Sequence, residues 1–282
     1  MANHRLRTIR RLLARQFIAA TAIAGLLGLT MPGAATADEE QIPESSAWPS
    51  LKAEHFGDRP IRDGEAVIGL DAPYRAEDAA IVPIGITDKL PSDSERRIER
   101  LWLVIDNNPV PMSAEFEFGP AAASADIATR VRVNAYTHMR AIAETSDGQL
   151  YMTTRYVKAS GGCSAPASKD PEAALANMGQ IRLRELSGSD KPGRRIQMLT
   201  RHPNHTGLQM NQVTRLHVPE YYVNAIEINA GDRNVLSATM TFSLSENPSL
   251  RFSYQPAGSA PLTIAVRDTE ENTFTAEYAA AP

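Results

Sequence analysis

The chain has 282 residues, a formal net charge of −4 and a single cysteine. That length holds two domains of ordinary size. One cysteine excludes an internal disulfide, so the core alone must supply stability. The acidic balance argues against nucleic acid or an anionic membrane as partner.

Arg5, Arg7, Arg10, Arg11 and Arg15 open a basic leader, Phe17 to Leu29 follows as an apolar stretch, and Ala35-Thr36-Ala37 supplies a small-x-small cleavage site. This pattern predicts a secretory signal peptide over residues 1–37, with the mature chain starting at Asp38 and exported from the cytoplasm. Arg10-Arg11 matches a twin-arginine signal only in part, so the general secretory route is favoured. No later apolar stretch reaches membrane-spanning length. Residues 38–47 read as a disordered lead-in.

Trp48–Phe56 can pack as a short helix or an irregular segment. From Val67 onward the pattern turns to β-strand. Strands are expected at 67–70, 80–86, 100–106, 114–118, 129–133, 139–144 and 150–157, with Pro83 marking an edge or a bulge. The stretch Arg100-Leu101-Trp102-Leu103-Val104-Ile105-Asp106 is apolar nearly throughout, which requires cover on both faces. Asp147-Gly148 favours a tight hairpin turn. Many short strands with turn chemistry between them read as a β-sandwich over residues 48–160.

The only cysteine, Cys163, follows two glycines in Ser160-Gly161-Gly162-Cys163-Ser164-Ala165-Pro166. Loop composition of this kind predicts an exposed thiol on a flexible arm formed by Gly161 and Gly162. Lys158 and Lys169 are the cations near it in sequence. A helix is predicted over Asp170–Gly179, with Asp170 as N-cap, Pro171 in the first turn and Gly179 as the stop. Residues 161–179 thus form a loop and helical linker. A second sandwich is expected over 180–282, with strands at 181–186, 195–201, 213–218, 222–228, 238–244, 250–254 and 262–267. The fold class is therefore all-β, with two β-sandwich domains.

His202-Pro203-Asn204-His205, with His217 nearby, invites a metal reading, but no third and fourth ligand follow at recognisable spacing. A structural loop, or one that meets a partner, fits better. No nucleophile elbow, phosphate loop or dinucleotide fingerprint is present, and no catalytic constellation, metal site or cofactor is expected.

The stretch Leu70-Asp71-Ala72-Pro73-Tyr74-Arg75-Ala76-Glu77-Asp78-Ala79-Ala80-Ile81-Val82-Pro83, with Gly161-Gly162-Cys163, resembles SoxY of bacterial sulfur oxidation. The stretch Arg201-His202-Pro203-Asn204-His205-Thr206-Gly207, with Ser245-Glu246-Asn247-Pro248-Ser249-Leu250, resembles its companion SoxZ. In this order in one chain they resemble the fused SoxYZ-like carriers associated with quinoprotein dehydrogenases. The resemblance implies two immunoglobulin-like sandwiches and a periplasmic carrier whose thiol, here Cys163, holds a covalent intermediate. Its implied partners are periplasmic redox enzymes, either Sox-type enzymes or a quinoprotein dehydrogenase with its cytochrome c.

Two departures stand out. In SoxY the glycine-rich cysteine motif ends the chain, whereas here the chain continues into the second domain, and Ser164 stands where a glycine is usual. Three readings are open. They are a covalent thiol carrier, a non-covalent module docking on a quinoprotein dehydrogenase or its cytochrome, and a binding protein with a buried, inert cysteine. A disulfide-linked dimer through Cys163 is a further outcome of an exposed thiol.

Overall fold

A computed structural model describes residues 41–166, 176–188 and 191–279. The signal peptide and most of the helix expected over 170–179 lie outside the described residues. Ile42–Pro282 forms one compact unit.

Among the described residues, helix α1 (Trp48–Phe56) is followed by fifteen strands. Those of the first half are β1 (Ile61–Asp63), β2 (Ile68–Asp71), β3 (Val82–Asp88), β4 (Ile98–Ile105), β5 (Met112–Phe118), β6 (Ala122–Val131), β7 (Thr137–Thr145) and β8 (Leu150–Val157). The second half adds β9 (Ile181–Leu186), β10 (Arg194–Thr200), β11 (Val223–Ala230), β12 (Arg233–Met240), β13 (Ser249–Tyr254), β14 (Leu262–Asp268) and β15 (Thr273–Tyr278).

The two halves do more than share a linker. One sheet has nine strands in the order β1-β8-β7-β4-β5-β12-β11-β14-β15, and the other has six in the order β2-β3-β6-β13-β10-β9. Each half contributes a sandwich, and the sandwiches meet edge to edge. β5 pairs with β12 and β6 with β13, both antiparallel, so both sheets run across the boundary. This pairing gives partners to strand edges that separate sandwiches would leave open. The main core runs along both halves, with Leu101, Phe116 and Ile127 of the first half in one cluster with Ile196, Ile226 and Phe252 of the second.

β4 is covered on both faces, as its composition requires. Leu101, Leu103 and Ile105 enter the main core, while Trp102 and Val104 pack under Leu51 and Phe56 of α1. Phe56 meets Trp102 edge-on at 5.3 Å. Burying side chains of this size contributes about 2 kcal/mol each, which is what holds a nine-residue helix that is too short to persist alone. The chain is docked before the helix begins. Ser45, placed by composition in the disordered lead-in, donates to Asp106 and accepts from the Trp48 amide. Asp106 in turn is paired with Arg140, at 2.8 Å and buried.

Pro83 lies in β3, between two neighbours in the sheet order. β2 pairs only with Gly85–Asp88, so the missing N–H of Pro83 costs no bond on that side. Gly148 turns the β7–β8 hairpin with φ +74°.

Two expected strands are corrected. Residues 213–218 form a loop, because the Asn211 side chain accepts from the amides of Val213 and Thr214 and Arg215 takes φ +59°. Such local bonds offer the backbone an alternative to a ladder. The alternation Thr239–Leu244 stays in a strand only to Met240. Thr241 then donates to the Ser113 carbonyl, and the Leu244 amide closes a turn on Thr241. Met240, Phe242 and Leu244 are nonetheless all buried. Composition gave no sign of β1, which is three residues long, or of β15, an edge strand of half-exposed residues.

Candidate functional site

Four stretches far apart in sequence converge on Cys163: residues 70–83, 161–166, 201–209 and 245–250. Gly161 takes φ +79°, a left-handed conformation that favours glycine. Its amide donates to the Asn134 carbonyl at 2.9 Å, and that of Gly162 to Val133 at 3.0 Å. Gly162 is glycine for a different reason. A Cβ there would fall 2.0 Å from the Ala79 carbonyl oxygen and 2.7 Å from that of Val133. Ala79 also accepts from the Val133 amide at 2.8 Å, and Ser245 Oγ donates to the Ala80 carbonyl at 2.8 Å.

The second half closes over the cysteine. Thr206 Oγ1 donates to the Cys163 carbonyl at 2.6 Å, and Gln209 Nε2 to the Ala165 carbonyl at 3.0 Å. Asn204 holds this loop in place. It adopts φ +45°, accepts from the Val223 amide through Oδ1, and reaches the carbonyls of Leu244 and Ser245 through Nδ2. His202 is buried with Nδ1 against Asn204 at 2.9 Å, while Nε2 lies 3.5 Å from Asp268, too far for a good hydrogen bond. Burial lowers the pKa of His202 against the raising influence of Asp268. His205 bonds through Nδ1 to Gln209, and burial lowers its pKa as well. Both histidines therefore brace the loop. Among the described residues no group of three or more His, Cys, Asp or Glu is placed to hold a metal ion.

The exposed thiol expected from loop composition is corrected: Cys163 is 0% exposed. Gly161 and Gly162 do not form a free arm in this structure. They make a tight bend pinned to residues 133–134, and the 204–209 loop covers the residues just after that bend. Burial pushes the thiol pKa up to about 11, opposed by the positive charge of Arg132. The closed state therefore holds a neutral thiol at neutral pH, and the thiolate is the nucleophilic form.

Arg132 is the residue that sequence reading missed. It is buried just beyond β6, donating from Nη1 to the Gly162 carbonyl and from Nη2 to the Asn204 carbonyl, each at 3.3 Å. It thereby ties the cysteine bend to the loop that covers it. Burial lowers its pKa, with Cys163, Glu246 and Asp78 acting the other way, and an arginine keeps its proton in a protein. Asn108 fixes the local backbone by donating to the Arg132 carbonyl and accepting from the Asn134 amide. A signal was present, since Arg130 and Arg132 alternate with valines, but which of the two would be buried depends on contacts from the other half. Of the lysines near Cys163 in sequence, Lys158 stacks over Tyr74 at 5.1 Å, and Lys169 lies outside the described residues.

The same loop carries exposed apolar side chains. Leu208 and Met210 are partly exposed, and Val213 and Leu216 are 91% and 68% exposed.

Two family models match successive parts of the chain. The family model "Sulfur oxidation protein SoxY" matches residues 52–163, ending on Cys163, and "Sulphur oxidation protein SoxZ" matches residues 186–279. No curated protein sequence matches the chain. Among solved structures, a superoxide reductase (neelaredoxin) from Ignicoccus hospitalis superposes with a TM-score of 0.28 at 15% identity, over 33% of this chain and 79% of its own. A putative superoxide reductase from Thermotoga maritima gives 0.30 at 16%, over 36% and 92%. A beta-glycosidase from Bacteroides vulgatus gives 0.24 at 11%, over 76% and 24%. Scores this low carry no argument about fold or activity. The family models together span most of the chain, and with the cysteine at the end of the first they establish it as a SoxY domain fused to a SoxZ domain.

Proposed function

We propose that the protein is a periplasmic carrier of sulfur oxidation that holds a sulfur-containing intermediate covalently on Cys163 for partner redox enzymes. The observation that carries this reading is the convergence of all four family-like stretches, with the buried cation Arg132, on one thiol. In the closed state the thiol is neutral and covered. Release of Thr206 and Gln209 from residues 163–165 exposes it, removes the desolvation that raises its pKa, and leaves the Arg132 charge to favour the anion. Loading is then oxidative. Cys163–SH and a sulfur anion R–S⁻ give Cys163–S–S–R, one proton and two electrons, and the electrons pass to a partner enzyme such as a c-type cytochrome. Gly161 and Gly162 serve as the bend about which the released segment moves.

The test is the intact mass of the exported protein, purified without reductant, before and after dithiothreitol. A reducible added mass on the Cys163 peptide, absent in Cys163→Ser, is expected. A thiol that remains unmodified in the exported protein overturns the reading, and a doubled mass reports a disulfide-linked dimer instead. N-terminal sequencing of the same material is expected to begin at Asp38.

The burial of Cys163 favours a second reading, a non-covalent module that docks on a quinoprotein dehydrogenase or its cytochrome. That reading predicts a complex with such an enzyme that Cys163→Ser leaves intact.

A further inference from the structure

The outer face of the six-stranded sheet holds a groove of about 730 Å³ away from Cys163, and four arginines line it without a single carboxylate. Strand register explains the cluster. Arg184, Gln197 and Arg251 stand side by side across β9, β10 and β13, and Ala128 and Gly85 continue the row across β6 and β3. One pleat along, Arg182, Leu199 and Ser249 form the next row, and Arg130 faces Pro83. Residues two apart on a strand share a face, so the four guanidinium groups point out together over a floor that includes Pro83, Ala128 and Ser249. Strands are about 4.8 Å apart, which sets the backbones of Arg184 and Arg251 roughly 10 Å apart.

These arginines are under-used. Arg184 donates to Gln197 Oε1 at 3.1 Å, and Arg130 donates to the Asn247 carbonyl at 3.0 Å while its Nε has no acceptor among the described residues. Arg182 and Arg251 are exposed, and neither side chain has a hydrogen-bonded or ion-pair partner among the described residues. In a chain of net charge −4, four cations gathered without a counter-charge repel one another unless an anion joins them. A guanidinium presents a planar fork of donors that matches sulfate-like, phosphate-like and carboxylate oxygens. We propose that this groove is a binding site for a small, multiply charged oxyanion, held by Arg182, Arg184 and Arg251 with Arg130 closing one end. The assignment is independent of any chemistry at Cys163.

The test is calorimetric titration of the full chain with sulfate, with pyrophosphate and with hexaglutamate, at ionic strength held constant with sodium chloride. Pyrophosphate is expected to bind more tightly than sulfate and to raise Tm by about 3 °C at ten times its Kd. The double variant Arg182→Gln/Arg251→Gln is expected to bind at least tenfold more weakly, with the Tm of the free protein unchanged. Absence of a chloride-resistant heat with either inorganic anion overturns the proposal, as does equal affinity in the double variant. Binding of hexaglutamate alone overturns it in favour of an acidic protein as the occupant of this face.

Discussion

Arg132, just beyond β6, and Arg251, on the neighbouring strand β13, are the same residue type at one sheet, and their surroundings could hardly differ more. Arg132 is buried, bonded to two carbonyls, and set beside a neutral thiol; Arg251 is exposed and its side chain has no acceptor among the described residues. The first region is closed, so opening it costs hydrogen bonds that the chain itself supplies. The second is open, so filling it recovers interactions that the chain does not supply. Substitution should therefore destabilise the cysteine region and leave the groove region stable.

Gly162→Ala is expected to have the largest effect. The added Cβ meets backbone atoms of Ala79 and Val133, which should destabilise the fold by on the order of 3 kcal/mol and let thiol reagents reach Cys163 rapidly. Native-state labelling kinetics and urea denaturation check both. Alkaline pH comes next. With its folded pKa raised to about 11 from the ordinary value of 9.0, Cys163 contributes stability that is fully present below about pH 9 and is lost as pH rises towards 11. The contribution is about 2–3 kcal/mol. The Tm difference between the wild type and Cys163→Ser should therefore narrow across that interval.

Arg132→Leu should cost about 2 kcal/mol by leaving the Gly162 and Asn204 carbonyls without their donor. It should also raise the thiol pKa further, because the opposing charge is gone, so the pH profile of labelling should move to higher pH. Thr206→Val removes one bond, and a loss of about 1 kcal/mol in closure speeds labelling roughly fivefold. Arg251→Gln should change stability by less than about 0.5 kcal/mol. A large destabilisation there would erase the contrast between the two regions.

Much of the fold was legible because it rests on local pattern. Alternating and apolar runs, punctuated by Asp147-Gly148 and similar turns, specified most strands, and the uninterrupted apolar character of β4 required the cover that α1 provides. The exceptions have local causes too. The Asn211 side chain and Thr241 supply bonds that compete with a ladder, while the short β1 and the edge strand β15 carry too little apolar pattern to register.

The site was legible in its parts and illegible in its assembly. The sequence alone determined that there is one thiol, that two glycines precede it, and that a His-Pro-Asn-His turn lies in the second half. Glycine composition reads as freedom in a sequence, yet Gly162 is glycine because two carbonyls leave no room for a side chain. The continuous sheets, the bonds from Thr206 and Gln209 to the carbonyls of Cys163 and Ala165, and the burial of Arg132 rather than Arg130 were decided by tertiary structure. The reason is that each depends on contacts between residues that lie in different halves of the chain, where neither spacing nor periodicity carries information.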